Sequence, residues 1–199
     1  MRSFWDDRYA EPGFAYGQEP NDYFRNYLES GSQKPGRLLL PGEGEGRNAV
    51  FAAQKGWEVF AFDQSVAGRD KALQLAAERG VRIRFDAVDI RYYPFLEASF
   101  DLISLLFFHL PEDLRAFAHP QFTRALKPGG VLLAELFSKN QLGKSSGGPK
   151  DAGMLYDTEG LRNDFKDLDI RYLAEENIQL GEGKYHVGEA SVVRLLAVK

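Results

Sequence analysis

The sequence predicts an α/β domain built on a mostly parallel sheet, and three stretches carry that prediction. Arg37 to Ala53, RLLLPGEGEGRNAVFAA, reads as a short apolar strand, a glycine-rich turn and an amphipathic helix. Trp57 to Asp63, WEVFAFD, reads as a second strand ending in an acid. Asp101 to Leu106 is a nearly unbroken apolar run, as a strand buried on both faces requires. Strands that alternate with helical patterns form βαβ units, and such units build parallel sheets covered by helices.

Bulk properties bound the rest. The chain has 199 residues, 44% hydrophobic and 27% charged, which suits one domain over 1–199 with a proper core. The net charge of −4 provides no global basic field, so no nucleic-acid partner is expected. There are no cysteines, which removes disulfides, thiolate metal sites and a cysteine nucleophile and fits a cytoplasmic address. No stretch approaches the ~20 apolar residues of a membrane span. The N-terminus is too acidic and aromatic for a signal peptide. No His/Asp/Glu group has ligand spacing, so no metal is expected. There is no internal repeat. A monomer is expected, with a dimer as the alternative.

In chain order, residues 1–34 read as an aromatic arm. Tyr23, Phe24, Tyr27 and Leu28 follow a helical stripe capped by Asn21 or Asp22, with Gly31 as its end. Pro12, Gly13 and Gly17 prevent one continuous helix before it. The arm is read as a lid, with plain core packing as the alternative. Trp5 and Tyr9 divide evenly between the two, and Tyr16, in its Tyr-Gly turn, favours cofactor or substrate contact. The first helix should span Arg47 to Lys55, with Val50, Phe51 and Ala53 toward the sheet. Ser65 should cap a helix from Val66 to Arg79, with Leu73, Ala76 and Ala77 buried. Val81 to Phe85 alternates as a third strand near a sheet edge.

Beyond the apolar run, Phe107-Phe108-His109-Leu110-Pro111 leads into a helix that Pro120 should break in two. Lys127 to Gly130 is a turn into a strand from Val131 to Phe137. Ser138 to Gly153 is longer than the connections of compact domains usually are. It reads as a flexible substrate lid made basic by Lys139, Lys144 and Lys150, with a solvated loop equally admissible. Asp157 or Thr158 caps a helix to about Lys166. Ile170 to Leu180 and Ala190 to Val198 are the last strands, joined by a loop that holds His186, a residue given no chemical role.

The glycine turn is the organising motif. Gly42, Gly44 and Gly46 allow positive φ and close backbone approach, and the helix N–H groups behind them are expected to face a ligand. Gly44 to Ala49 fits the dinucleotide spelling with alanine in third place. The charges argue otherwise, because Glu43 and Glu45 would stand beside a pyrophosphate. S-adenosylmethionine (SAM) has no phosphate and carries a sulfonium and an ammonium, which suit acidic neighbours. Asp63 lies 17 positions after Gly46, close to the ~20-residue offset of a ribose-binding carboxylate. The bland alternative is a tight turn with a helix-capping aspartate. Two independent signals at the right separation put ligand binding ahead.

With Asp86-Ala-Val-Asp-Ile90, Phe100-Asp-Leu-Ile103 and Leu126-Lys-Pro-Gly-Gly-Val131 added, the chain resembles class I SAM-dependent methyltransferases over about 35 to 137. Phe4 to Tyr9 (FWDDRY) and Tyr16 to Asn21 (YGQEPN) are similar to the tellurite-resistance and thiopurine methyltransferase branch. The resemblance implies a Rossmann-like three-layer sandwich, with a seven-stranded, mostly parallel sheet in the order 3-2-1-4-5-7-6 and an antiparallel last strand. It implies SAM as cofactor, held by Gly42, Glu43, Gly44, Gly46 and Arg47 at the turn. Asp63 and Gln64 would serve the ribose end, and Asp89 and Ile90 the adenine, with Leu106 beside them. For Asp89 the alternative is a turn aspartate bonding its own backbone. One departure stands out: the family's acid two residues before the first glycine is Leu40 here, and Glu43 is a substitute for it.

The implied reaction is in-line methyl transfer to a small-molecule acceptor, with the nucleophile about 3 Å from the methyl carbon. A thiol or a metalloid oxyanion such as tellurite follows from the branch resemblance only. Tyr16, Phe107 and Phe108 are the substrate candidates. His109 is the catalytic candidate, as proton acceptor or orienting group, with a helix-capping role weighed equally. No Asn-Pro-Pro-Tyr-like segment follows the fourth strand, which argues against nucleic-acid bases. The rivals are an NAD-dependent oxidoreductase, whose Tyr–Lys or His–acid pair is not readable here, and a SAM-binding protein without turnover.

Overall fold

Seven strands join one sheet in the order β3-β2-β1-β4-β5-β7-β6 in a computed structural model that describes residues 2–199, with side chains from residue 4 onward. The chain divides into two compact units. One runs to Tyr93 and includes Glu182–Lys184; the other comprises Pro94–Gly181 and Tyr185–Lys199.

The first unit contains α1 (Arg2–Ala10), α2 (Asp22–Glu29), β1 (Arg37–Pro41), α3 (Arg47–Gln54), β2 (Glu58–Asp63), α4 (Val66–Glu78) and β3 (Arg84–Ala87). β1 pairs in parallel with β2, and β2 with β3. Leu38, Leu39 and Leu40 are buried, as a strand covered on both faces requires. Asn21 caps α2 and Ser65 caps α4, each accepting a backbone N–H three residues on. The helix α1 was not expected. Its footing is tertiary: the Asp6 carboxylate accepts Ser65 Oγ at 2.7 Å and the Val66 N–H at 2.9 Å.

Two buried faces differ from expectation. In α3 it is Ala49, Val50 and Ala52 that are buried, while Phe51 and Ala53 are half-exposed. In α4 the buried stripe is Gly68, Ala72, Leu75 and Ala76, and Leu73 is 41% exposed. That stripe keeps helical spacing but is made of small residues, because Gly46 and Tyr9 lie directly against it. β3 begins three residues later than predicted. Val81 and Ile83 instead pack on Val50, Leu75 and Ala76, and ladder pairing starts at Arg84 opposite Phe60.

The second unit contains β4 (Phe100–Leu106), α5 (Glu112–Ala125), β5 (Leu126–Phe137), α6 (Thr158–Asp164), most of β6 (Asp169–Glu182) and β7 (His186–Val198). β4 and β5 are parallel, and β5 and β7 antiparallel. Pro120 does not break α5, which runs unbroken through it. Proline removes one N–H, but Ala118, His119, Phe122 and Ala125 stay buried, and that packed face outweighs the missing bond. The Lys127–Gly130 turn becomes a bulge inside β5, where the register slips between Phe100 and Leu102. β6 and β7 are longer than predicted, and His186 opens β7 instead of lying in the loop.

Residues 138–153 are tied down, contrary to a free lid. Gln141 and Ser146 are buried. Gln141 Nε2 donates to Ser146 Oγ and to the Gly147 carbonyl, both at 2.9 Å, and Gln141 Oε1 accepts the Ser191 N–H at 2.8 Å. Lys139 pairs with Asp157 and Lys144 with Glu189, so two of the three lysines meant for an anionic substrate are already neutralised. Among the described residues, no helix is long and apolar enough to cross a membrane. Among them, too, no group of three or more His, Asp or Glu could hold a metal ion.

Gly46 has φ +86°, and a Cβ there would stand 2.5 Å from Ala72 Cβ and 2.8 Å from Ala72 Cα. Gly46→Ala is expected to cost about 3 kcal/mol, combining left-handed strain with overpacking. Gly80→Ala, at φ +69° in open space, should cost only about 1 kcal/mol. Urea denaturation of both variants measures this; equal losses would show that α3 does not press on α4.

Candidate functional site

The glycine turn folds back on itself before α3 starts. The Glu43 N–H donates to the Phe62 carbonyl at 3.2 Å, and the Gly46 N–H to the Glu43 carbonyl at 3.3 Å. This path carries the Glu43 side chain under the helix. Its Oε1 accepts the Asn48 N–H at 2.8 Å and the Ala49 N–H at 2.7 Å, and its Oε2 accepts Asn48 Nδ2 at 3.3 Å. The expectation that the first helical N–H groups face a ligand is therefore corrected, since the protein's own carboxylate occupies them. Glu43 is equally committed, so it does not stand in for the acid missing at Leu40, which is itself buried core. Burial pushes the Glu43 carboxyl up to about 7, against the pull of the Ala49, Asn48 and Arg47 contacts.

Asp63 ends β2 beside the turn. Its Oδ2 accepts the Gly44 N–H at 3.1 Å and its Oδ1 the Ser65 N–H at 2.9 Å; with the Gln64 N–H also bonded to the carboxylate, acceptor capacity for one further donor remains. Burial pushes its carboxyl up to about 6. Gln64 follows it, half-buried. A Cβ on Gly44 would lie 2.6 Å from the Tyr9 hydroxyl oxygen, so glycine lets Tyr9 rest on the turn. Tyr9 is 5% exposed and stacks on Trp5 with centroids 5.5 Å apart. Arg47 is also engaged: Nη2 meets Glu182 Oε2 at 2.8 Å, and Nη1 donates to the Glu19 carbonyl at 3.2 Å.

Glu45, given no role from sequence, ties the arm down. It accepts the Ala15 N–H at 2.7 Å and pairs with Lys71 at 2.9 Å. Its only signal in the sequence was an acid where a nucleotide turn would avoid one. The Tyr16 hydroxyl accepts Arg8 Nη1 at 3.0 Å, and the Arg8 guanidinium lies 4.6 Å from the Phe4 ring centre. Asp89 adopts the local turn arrangement. Its Oδ1 accepts the Arg91 N–H and Nε, both at 2.9 Å, and the Arg91 contact holds its carboxyl below the usual range. Ile90 beside it is buried.

The remaining candidates lie in the second unit. Leu106 is buried at the end of β4. Phe107 follows with φ +50°, a conformation that aromatic residues rarely adopt, and its ring lies 4.6 Å from both Phe137 and His186. The half-buried Phe108 accepts the Tyr156 hydroxyl on its carbonyl at 3.3 Å. His109 Nδ1 lies 2.9 Å from the Met154 carbonyl, and Nε2 lies 3.3 Å from the Phe137 N–H. A carbonyl only accepts, so Nδ1 carries the proton and Nε2 is the acceptor. Both nitrogens are used, and burial lowers the pKa to about 4. This arrangement gives His109 a tethering role; it leaves no lone pair for a substrate proton, and neither partner belongs to the first turn of α5. His119 is structural, with Nδ1 on Asp164 at 2.9 Å and its ring stacked on Phe165.

Residues 39–130 match the family described as "Methyltransferase domain". That stretch, a little under half of the chain, takes in the glycine turn, Asp63 and β4, and the sheet order agrees with what the resemblance to class I SAM-dependent methyltransferases implies. A 2-heptyl-1-hydroxyquinolin-4(1H)-one methyltransferase from Mycobacteroides abscessus is 29% identical over 143 residues. That match takes in 70% of this chain and spans 62% of the relative's own length. TehB from Haemophilus influenzae superposes with a TM-score of 0.74 at 16% identity, over 100% of this chain and 66% of that one. A structure concerned with the conversion of a disulfide bond into a thioacetal group during echinomycin biosynthesis also gives 0.74, at 19% identity over 100% and 92%. The two structural likenesses speak for the fold.

A ribose hydroxyl donates a stronger, charge-assisted bond to a carboxylate than to a carboxylic acid, whose O–H oxygen becomes a donor. Affinity for S-adenosylhomocysteine should therefore hold above pH 6 and fall toward tenfold per unit as Asp63 gains its proton below about 6. Calorimetry across pH 5 to 8 checks this. Asp63→Ala should bind more than about tenfold more weakly above pH 6 and lose the pH dependence, and an unchanged affinity there would remove the ribose assignment.

Proposed function

We propose that this protein transfers the methyl group of SAM to a small-molecule acceptor. One observation carries the reading: the Glu43 carboxylate occupies the start of α3 while Asp63 waits at the end of β2. A pyrophosphate would find its backbone donors taken and an acid in its place, which argues against a dinucleotide. A phosphate-free nucleoside with a cationic tail meets no such conflict, and Asp63 keeps acceptor capacity for a ribose hydroxyl. Gly42 and Gly44 would let it approach the backbone, Gln64 would join Asp63 at the ribose, Asp89 and Ile90 would flank its base, and residues 1–34 would close over it as an arm.

SAM, when bound, supplies a methyl group already activated on a sulfonium. The chain's own part is to orient the acceptor and keep water out. Phe107 and Phe108 are the proposed acceptor contacts, and the tethered His109 would hold their loop in shape. The favoured acceptor is a flat hydroxylated heteroaromatic. It is supported by these aromatic side chains and by the name of the Mycobacteroides relative. A thiol or a metalloid oxyanion such as tellurite is the second reading, favoured by the likeness to TehB across this whole chain.

The test is incubation with SAM and, in separate reactions, a 1-hydroxyquinolin-4-one, an aromatic thiol and tellurite, followed by mass spectrometry for methylated product. Methylation of the hydroxyquinolinone ahead of the others is expected. Product from thiol or tellurite alone would establish the second reading. Cofactor binding without product from any acceptor would favour a SAM-binding protein without turnover.

A further inference from the structure

Glu182, near the end of β6, meets the first residue of α3 in an ion pair whose side chains are 14% and 9% exposed. Glu182 Oε2 is 2.8 Å from Arg47 Nη2, and Oε1 is 3.5 Å from Asn21 Nδ2. Arg47 Nη1 reaches the Glu19 carbonyl, and the Asn21 N–H donates to Asn48 Oδ1 at 2.8 Å. Asn48 in turn donates to Glu43. One carboxylate thus joins arm residues 19–21 to the turn that begins α3.

The next two residues complete the contact. A Cβ on Gly183 would lie 2.4 Å from the Ala15 carbonyl oxygen and 2.5 Å from the Gly17 nitrogen, so the chains touch backbone to backbone. The Lys184 N–H donates to the Ala15 carbonyl at 2.9 Å, while the Ala15 N–H donates to Glu45 in the glycine turn. Ala15 is therefore held from both sides. A buried ion pair adds little stability over an apolar pair of the same shape, but losing one partner strands the other charge, so its distinctive effect is to enforce one arrangement.

We propose that Glu182 is a positioning residue for the cofactor: through Arg47 and Asn21 it holds arm residues 15–21 against the glycine turn in the single register that closes over SAM. The proposal rests on the reading of that turn as the SAM site. Loosening the pair frees the arm, so the cofactor must reorder it on binding. The methyl-transfer step itself is untouched once SAM is bound.

Glu182→Gln keeps the shape and removes the charge. It should weaken S-adenosylhomocysteine binding about tenfold and raise KM for SAM alike, leaving kcat at saturating SAM within about twofold. Glu182→Asp should recover part of the affinity. Limited proteolysis should cut residues 11–20 faster in Glu182→Gln, and S-adenosylhomocysteine should suppress the cutting. Glu189→Gln, which breaks only the exposed pair with Lys144, should change none of these. Wild-type affinity in Glu182→Gln, or a fall in kcat without a rise in KM, would overturn the proposal. Should Glu182→Gln fail to fold, the proteolysis pattern of wild type and Glu182→Asp decides it: no protection of 11–20 by S-adenosylhomocysteine overturns it. A wild-type protein that binds no S-adenosylhomocysteine overturns the cofactor reading and this proposal with it.

Discussion

The contact on which the rest depends is the Glu43 carboxylate lying across the first N–H groups of α3. A helix start leaves several donors unpaired, and their partial positive charge attracts an anion. In this chain the anion is built in. Placing it there requires a tight backbone path, and Gly42, Gly44 and Gly46 all take positive φ to make it. Burying the acid raises its pKa, an effect opposed by the Ala49 and Asn48 bonds and by the Arg47 charge. Arg47 must then be held in place, and Glu182 and the Glu19 carbonyl hold it. The acidic residues of the turn, which looked odd for a nucleotide site, are thus parts of its frame.

The arm depends on the same turn. Tyr9 rests on Gly44, Ala15 is bonded to Glu45, and Asp6 receives the start of α4. Each contact is made to a residue of the turn or to the helix just beyond Asp63. A shift of the turn would therefore release the arm, and a loosened arm would expose the turn to solvent. The order of the arm and the order of the turn are coupled in this unit through Asp6, Tyr9 and Ala15.

Much of this was legible in the sequence wherever the signal was local. The strands β1, β2 and β4 are runs of consecutive apolar residues, and Asn21, Ser65 and Asp157 cap helices through bonds that span three residues. Asp63, singled out by its distance from the turn, ends β2 and bonds the turn at the Gly44 N–H. The misses share one cause, since their determinants lie far away in sequence. Among its described side chains the helix α1 buries only Tyr9, and it gains its footing from Ser65 and Val66, some 60 positions on. Pro120 sits in a helix whose packed face outvotes it. His109 is neutralised as a base by partners 45 and 28 positions away. Glu43 was noticed, but its role depends on a reversal of the backbone that spacing alone does not reveal.

The most direct test of the central claim is calorimetric titration of the purified protein with S-adenosylhomocysteine and, separately, with NADH. An internally capped glycine turn predicts micromolar binding of the first and none of the second. NADH binding without S-adenosylhomocysteine binding would mean that Glu43 yields the helix start to a pyrophosphate, and would contradict the account.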